Sequence, residues 1–244
     1  MQHLTFVAAC LLILSVTALA QQPREKPKEL DVLGQYVGDW TSDVTSKPAV
    51  WTPEEKQFRT SNHAEFVLDG WFLQHIEVNH VVGDPEKVTK ALMISTYDSP
   101  SVEYVTWFFQ SSGVIGKWAG KWDAKGEALT LTDIDPPPNT TAKLTEAFPD
   151  DGTIYGTLSY TGNDGLKMFD MVWTRNRQAG VGGKPTCEQW AEIGTPIKPI
   201  PDEVKMLKTF IGEWDSEFIQ RPSVVSPSGN TSKGTMTAQW ILDG

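Results

Sequence analysis

Residues 30–70 recur without a gap at residues 204–244, an offset of 174. Leu33, Gly38, Trp40, Ser42, Pro48, Val50, Pro53, Ala64, Leu68, Asp69 and Gly70 return as Leu207, Gly212, Trp214, Ser216, Pro222, Val224, Pro227, Ala238, Leu242, Asp243 and Gly244. Chance would give roughly two or three identities over such a stretch. Conservative pairs such as Tyr36 with Phe210 and Phe66 with Trp240 agree. An internal repeat sets the size of the folding unit before any single residue is weighed. The first unit runs on past Gly70 to about Arg175, whereas the second reaches Gly244. The expectation is therefore a complete unit over 30–177 and an incomplete second copy over 204–244. Between them, 178–203 holds Gly180, Gly182, Gly183, Pro185, Pro196, Pro199 and Pro201, the composition of a linker. Within it, Thr186–Ile193 is expected to form a short helix.

Residues 1–20 contain no Lys, Arg, Asp or Glu, are apolar from Leu4 to Leu19 and end Ala18-Leu19-Ala20. This is the pattern of a secretory signal peptide cleaved before Gln21, with an uncleaved N-terminal anchor as the alternative, and the polar 21–29 is a lead-in to the first unit. No later segment has the ~20 apolar residues needed to span a bilayer as a helix. Cys187 is then the only thiol of the mature chain, so the fold rests on its core rather than on an internal disulfide. The net charge of −10 argues against nucleic acid and against an anionic membrane surface as partners.

Leu30, Leu33, Tyr36 and Val37 fall at helical spacing, and Gly38 ends the run. From Trp40 onward the pattern is β. Strands are expected at Trp40–Thr45, His63–Asp69, Trp71–Val82, Leu92–Tyr97, Val102–Phe109, Val114–Trp122, Ala128–Thr132, Thr140–Ala147, Thr153–Tyr160 and Lys167–Thr174. Turn signals such as Asp69-Gly70, Ser112-Gly113, Lys125-Gly126 and Asp151-Gly152 separate them. Sequential strands with short loops favour an all-β, antiparallel up-and-down barrel of about ten strands over a sandwich, because closure removes exposed edges.

A short helix followed by Gly38-Asp39-Trp40 at the head of a ten-strand meander resembles the calycin-type barrels: lipocalins, fatty-acid-binding proteins and nitrobindins. A sharper resemblance is to the bacterial exported family called domain of unknown function fifteen seventy-nine. It rests on Leu33-x4-Gly38-x-Trp40, Leu68-Asp69-Gly70-x-Phe72-Leu73, Tyr97-Asp98, Gly120-x-Trp122-Asp123, Leu129-Thr130-Leu131-Thr132 and Val172-Trp173-Thr174-Arg175, and Gly212 and Trp214 repeat its opening. The chain departs from the family at Trp71, where Arg is usual, and at Thr96, where Gly is usual. The resemblance implies a barrel fold and export, and no established activity.

If Asp69-Gly70 is a two-residue hairpin loop, Leu68 faces Trp71, Phe66 faces Leu73 and Ala64 faces His75, with Glu77 further along the same side. Trp71, Leu73, His75 and Glu77 then either line an interior or lie outside, and Trp107 and Trp118 join them as candidate ligand contacts. Gly38, Trp40, Gly212 and Trp214 read as barrel-floor residues. The leading reading is noncatalytic binding of a small apolar or aromatic ligand. The alternatives are a structural or interaction module without a ligand and a weak hydrolase built on carboxylates such as Asp98, Asp123 and Asp170. His63, His75 and His80 do not converge in the expected register, so no metal site is expected. No cofactor is expected either, although a haem held by one histidine stays open through the nitrobindin resemblance. Oligomeric state is not legible in these residues.

Overall fold

The computed structural model describes residues 25–178, 207, 211–220 and 230–238. The expected export signal, the expected linker helix, Cys187 and Trp240 lie outside the described residues.

The helical spacing of Leu30, Leu33 and Tyr36 produces helix α1 (Leu30–Leu33) and a 3-10 turn (Gly34–Tyr36), all three side chains being buried. Ten strands follow: β1 (Gly38–Lys47), β2 (Lys56–Val67), β3 (Phe72–Val81), β4 (Asp84–Asp98), β5 (Glu103–Gln110), β6 (Ile115–Asp123), β7 (Ala128–Asp133), β8 (Thr140–Asp150), β9 (Thr153–Gly162) and β10 (Lys167–Arg177). Each pairs antiparallel with the next in sequence, and β10 pairs with β1, so the meander closes into a barrel with no free edge. At the Asp69-Gly70 turn, Asp69 (φ 57°) and Gly70 (φ 82°) both adopt the left-handed conformation that such a loop needs. Trp71 N–H closes the turn by donating to Leu68 O at 3.2 Å. The turn sets the register Val67↔Phe72, Phe66↔Leu73 and Ala64↔His75.

Two strands begin earlier than the alternation of apolar residues implies: β2 at Lys56 rather than His63, and β4 at Asp84 rather than Leu92. The added part of β2, Lys56 to Asn62, alternates charged or polar residues on one side with Phe58, Thr60 and Asn62 on the other. Polar residues on both faces hide a strand from a reading based on apolar periodicity.

One end of the barrel is plugged. Leu30, Leu33 and Tyr36 pack into a core with Trp40, Ala64, Leu73, Tyr104, Leu129, Phe148 and Ile154. Tyr36 meets Phe148 edge-on at 5.0 Å between ring centroids, and Tyr104 donates to Glu29 O at 2.9 Å. Trp40 fills the floor, as the Gly-x-Trp opening suggests. It is 2% exposed, its Nε1 donates to Tyr36 O at 2.7 Å, and the Arg177 guanidinium lies 4.2 Å from its ring centroid. Gly38 (φ 123°) turns the chain from the helical segment into β1 in a conformation that side chains rarely adopt.

A separate pair of strands, β11 (Gly212–Gln220) and β12 (Asn230–Ala238), forms a two-stranded sheet. Its register is that of the first hairpin shifted by 174. Gly212↔Ala238, Trp214↔Met236 and Glu217↔Lys233 correspond to Gly38↔Ala64, Trp40↔Asn62 and Asp43↔Arg59. Gly212 also repeats the conformation of Gly38, at φ 133°.

Candidate functional site

Opposed residues on neighbouring antiparallel strands share a face, so one parity can be followed around the barrel. Trp40, Ser42 and Val44 of β1 oppose Asn62, Thr60 and Phe58 of β2. Asn62 and Thr60 in turn oppose Glu77 and Asn79 of β3. In the other direction Ser42 and Val44 oppose Arg175 and Trp173 of β10, Trp173 opposes Gly156 of β9, and Gly156 opposes Glu146 of β8. The buried Trp40 and Ala64 mark this parity as the interior.

The interior has two unlike walls. On β4 to β9, Met93, Phe108, Trp118, Leu131, Leu144 and Leu158 share the inward parity and make an apolar wall. On β1, β2, β3, β8 and β10 the inward residues of the middle layer are Ser42, Thr60, Asn62, His75, Glu77, Asn79, Glu146 and Arg175. Met93, Phe108, Leu144 and Leu158 keep partial exposure although they point inward, so solvent reaches the interior from the end opposite α1. That mouth carries aromatic rings: Trp51 lies 5.5 Å from Tyr160, which also meets Trp118 at 6.0 Å and Phe169 at 6.3 Å.

The polar wall is a connected network. Glu146 receives Tyr36 O–H on Oε2 at 2.6 Å and Trp173 Nε1–H on Oε1 at 3.1 Å. Trp173 reaches Glu146 across Gly156, where an added Cβ would come within 1.8 Å of the indole. Arg175 Nη2 stands 3.5 Å from Glu146 Oε1 and 4.0 Å from Glu77 Oε2. Asn79 bridges two strands, donating to Glu77 Oε1 at 3.0 Å and accepting from Thr60 Oγ1 at 2.7 Å. Asn62 donates to Ser42 Oγ at 3.0 Å, which turns its carbonyl oxygen toward His75 Nε2 at 3.2 Å. With an acceptor opposite it, Nε2 is the protonated nitrogen of the neutral ring.

Burial acts on every titratable member for which a direction is resolved. The His75 ring is held well below its ordinary pKa of 6.5, first by burial and then by the positive charge of Arg175. Burial raises Glu77 against the opposing pull of Arg175 and the Asn79 hydrogen bond. Tyr36 is pushed well above 10.0 by burial and by the Glu146 carboxylate. Arg175 Nε is buried with no protein acceptor, although the side chain is only 7% exposed.

Of the residues singled out from sequence, Leu73, His75, Glu77 and Trp118 face the interior. Trp71 does not reach the polar wall. It follows the hairpin turn, packs against the core of the plugged end, and its carbonyl accepts Thr96 Oγ1 at 2.8 Å. Trp107 is on the wrong face for a ligand contact: it opposes Ile94 and Lys117 on the outward parity, with Lys117 Nζ 5.6 Å from its ring centroid. Its outer sector is unusually apolar, since Val78, Leu92, Val105 and Ala119 also face outward and are buried. Tyr97 and Trp122 belong to the plugged end, where Tyr97 meets Tyr104 at 5.1 Å and Trp122 meets Phe148 at 5.5 Å. Asp98 accepts Ser101 Oγ at 2.6 Å, Asp123 accepts Lys125 N–H at 2.9 Å, and Asp170 pairs with Lys167 at 2.7 Å. All three support local chain geometry rather than a reaction centre.

Glu146, Arg175, Asn62 and Tyr36 were not singled out as site residues. A signal did exist for two of them: Glu146 alternates with Leu144 and Phe148, and Arg175 with Trp173, so each is a charge on an otherwise apolar strand face. Among the described histidines, His75 spends Nε2 on Asn62, while His63 and His80 take the outward parity. No group of three or more His, Cys, Asp or Glu suited to a metal ion occurs among the described residues.

Fold and interior together define the class: a closed up-and-down barrel, plugged at one end by a short helix, with an interior divided into apolar and polar walls. The family model described as "Protein of unknown function (DUF1579)" matches residues 25–175, and the chain belongs to that family. No curated protein matches it. Among solved structures it is similar to Rv2717c from M. tuberculosis, with 14% identity, 63% of this chain and 99% of that one covered, and a TM-score of 0.48. It is also similar to the S-type phycobiliprotein lyase CPES from Guillardia theta, with 12% identity, coverage of 63% and 93%, and a TM-score of 0.45.

Proposed function

We propose that the barrel of residues 38–177 is a noncatalytic container for one small molecule, apolar or aromatic over most of its surface, with a polar group seated on the wall of Arg175, Glu77 and Asn79. The observation that carries this reading is Arg175, a buried guanidinium in the middle of the barrel whose Nε lacks a protein acceptor. Leaving a charged donor unsatisfied is costly, and an acceptor on a bound molecule relieves that cost. The apolar wall opposite, from Met93 to Leu158, supplies the surface on which the body of the ligand is desolvated. Chemistry is disfavoured because His75, the inward histidine, is committed to Asn62 and has no nucleophile hydrogen-bonded to it.

Native mass spectrometry of the purified chain, followed by extraction, tests the reading. A co-purifying mass of a few hundred daltons, released on denaturation, is the expected result. A bare chain that also fails to take up small aromatic probes contradicts it.

The same reading takes residues 1–20 as an export signal, placing the container in the periplasm or outside the cell. N-terminal sequencing of exported material should return Gln21, and a Met1 start would refute it. It also takes residues 204–244 as the opening of a second copy of the unit, which the shared register of the two hairpins supports.

A further inference from the structure

The polar wall holds two carboxyl groups against one guanidinium. Glu146 is fully committed, with Tyr36, Trp173 and Arg175 converging on its oxygens. Glu77 is not. Its Oε1 accepts from Asn79, and its Oε2 has only the 4.0 Å approach of Arg175, a distance at which the two barely pair. The groups facing Glu77 add no second cation. Across β2 its partner is Asn62, and across β4 it is Ala91. His75, two residues along β3, is kept neutral by burial, and the Tyr36 hydroxyl keeps its proton and gives the hydrogen bond to Glu146. Among the described residues of inward parity, Arg175 is the cation this layer contains.

Resting on the container reading, we propose that the site selects a neutral ligand bearing a hydrogen-bond acceptor, such as a ketone, ester or amide carbonyl, directed at Arg175 Nε, and rejects a carboxylate of the same shape. A neutral acceptor satisfies the orphaned donor without bringing a third negative group into a layer that already holds two carboxyls for one cation. An anion next to Glu77 meets a like charge in a poorly solvated interior, where screening is weak. The discrimination is expected to be about tenfold or more, one logarithmic unit of differential interaction. It should weaken in acid, because burial has raised the pKa of Glu77 and a protonated Glu77 no longer repels the anion.

The test uses the whole chain and a nearly isosteric pair of probes, 2-acetonaphthone and 2-naphthoate, titrated by calorimetry. The expected result is that the ketone binds about tenfold tighter than the carboxylate. In Glu77→Gln the roughly tenfold preference for the ketone over the carboxylate should disappear, whatever the substitution does to the affinity of both. With the unmodified chain, the carboxylate should tighten relative to the ketone as pH falls and Glu77 takes up its proton, which gives a readout independent of how well the variant folds. Equal or tighter binding of 2-naphthoate to the unmodified chain overturns the charge selection and leaves the container reading standing. A flat pH profile for the carboxylate also overturns it. Failure of both probes to bind removes the container reading, and the inference falls with it.

Discussion

The hairpins β1–β2 and β11–β12 share a register, a positive-φ glycine at the same place and a cross-strand ion pair at the same position. Arg59 lies 3.4 Å from Asp43 in one, and Lys233 lies 3.9 Å from Glu217 in the other. Their surroundings differ sharply. Trp40 is 2% exposed in the floor of a closed barrel, whereas Trp214 is 43% exposed in a two-stranded sheet. Two of the positions that build the polar wall differ as well: Thr60 and Asn62 correspond to Gly234 and Met236, while Ser42 is kept as Ser216. Strand pairing is written locally, in the turn, the glycine and the cross-strand pairs. Burial and the site are not local, because they need the other eight strands and a particular choice of inward residues. The second hairpin carries the pairing code without the counterparts of Thr60 and Asn62 that make the first into part of a site.

The largest expected effect separates the two tryptophans. Trp40→Ala should cost the barrel about 3–5 kcal/mol, the usual range for an emptied aromatic core position. Trp214→Ala should change barrel stability by no more than about 0.5 kcal/mol. Urea unfolding of both variants checks this, and comparable losses would mean that the second hairpin is part of the same cooperative unit. A chain ending at Arg177 should likewise keep the melting temperature of the full chain.

Asn62→Met writes the residue of β12 into β2 and sharpens the comparison next. The register should survive, but Ser42 and His75 lose their shared partner, at a cost of about 1–3 kcal/mol for stranded buried groups. Affinity for 2-acetonaphthone should drop about tenfold as the polar wall loosens, a loss of about 1.4 kcal/mol in binding. Unchanged affinity in a folded variant would show that the network has no bearing on binding.

The third effect is acid sensitivity, which belongs to the first hairpin's network. His75 is depressed in the folded state, so the unfolded chain binds the extra proton first as pH falls. The His75 contribution to stability is complete above pH 6.5 and is lost as pH falls from there toward the lower folded-state value. Within that window the slope approaches about 1.4 kcal/mol per pH unit. Stability curves of His75→Gln should be flatter just below pH 6.5, and an identical acid limb would place the proton uptake elsewhere.

The smallest effect should be the same in both hairpins. Asp43→Ala and Glu217→Ala each break an exposed pair, which is worth about 0.5 kcal/mol or less. A double-mutant cycle on Asp43 and Arg59 giving well above 1 kcal/mol would show that the surface pair does more than decorate the shared register.

The barrel was legible because its hairpins announce themselves. Asp69-Gly70 supplies the two left-handed residues that such a turn needs, and that alone fixes Phe66 opposite Leu73 and Ala64 opposite His75. The polar part of the site was legible only along the strand that follows that turn, at His75 and Glu77. The outward face of Trp107 is not legible in sequence, because Trp107, Phe108 and Phe109 are consecutive aromatics and a run without alternation carries no parity signal. Tyr36 and Glu146 meet across 110 residues of sequence, and no local rule brings them together. The start of β2 stayed hidden for a related reason: its inward Thr60 and Asn62 are polar because they build the wall, so the feature that makes the site erases the pattern that would reveal the strand.

A crystal structure of the chain with 2-acetonaphthone decides where a neutral acceptor-bearing molecule binds. The prediction is a naphthalene ring against Met93, Phe108 and Trp118, with the carbonyl oxygen about 2.7–3.2 Å from Arg175 Nε. A probe bound on the outer surface, or an interior closed by its own side chains around a differently paired Arg175, would contradict it.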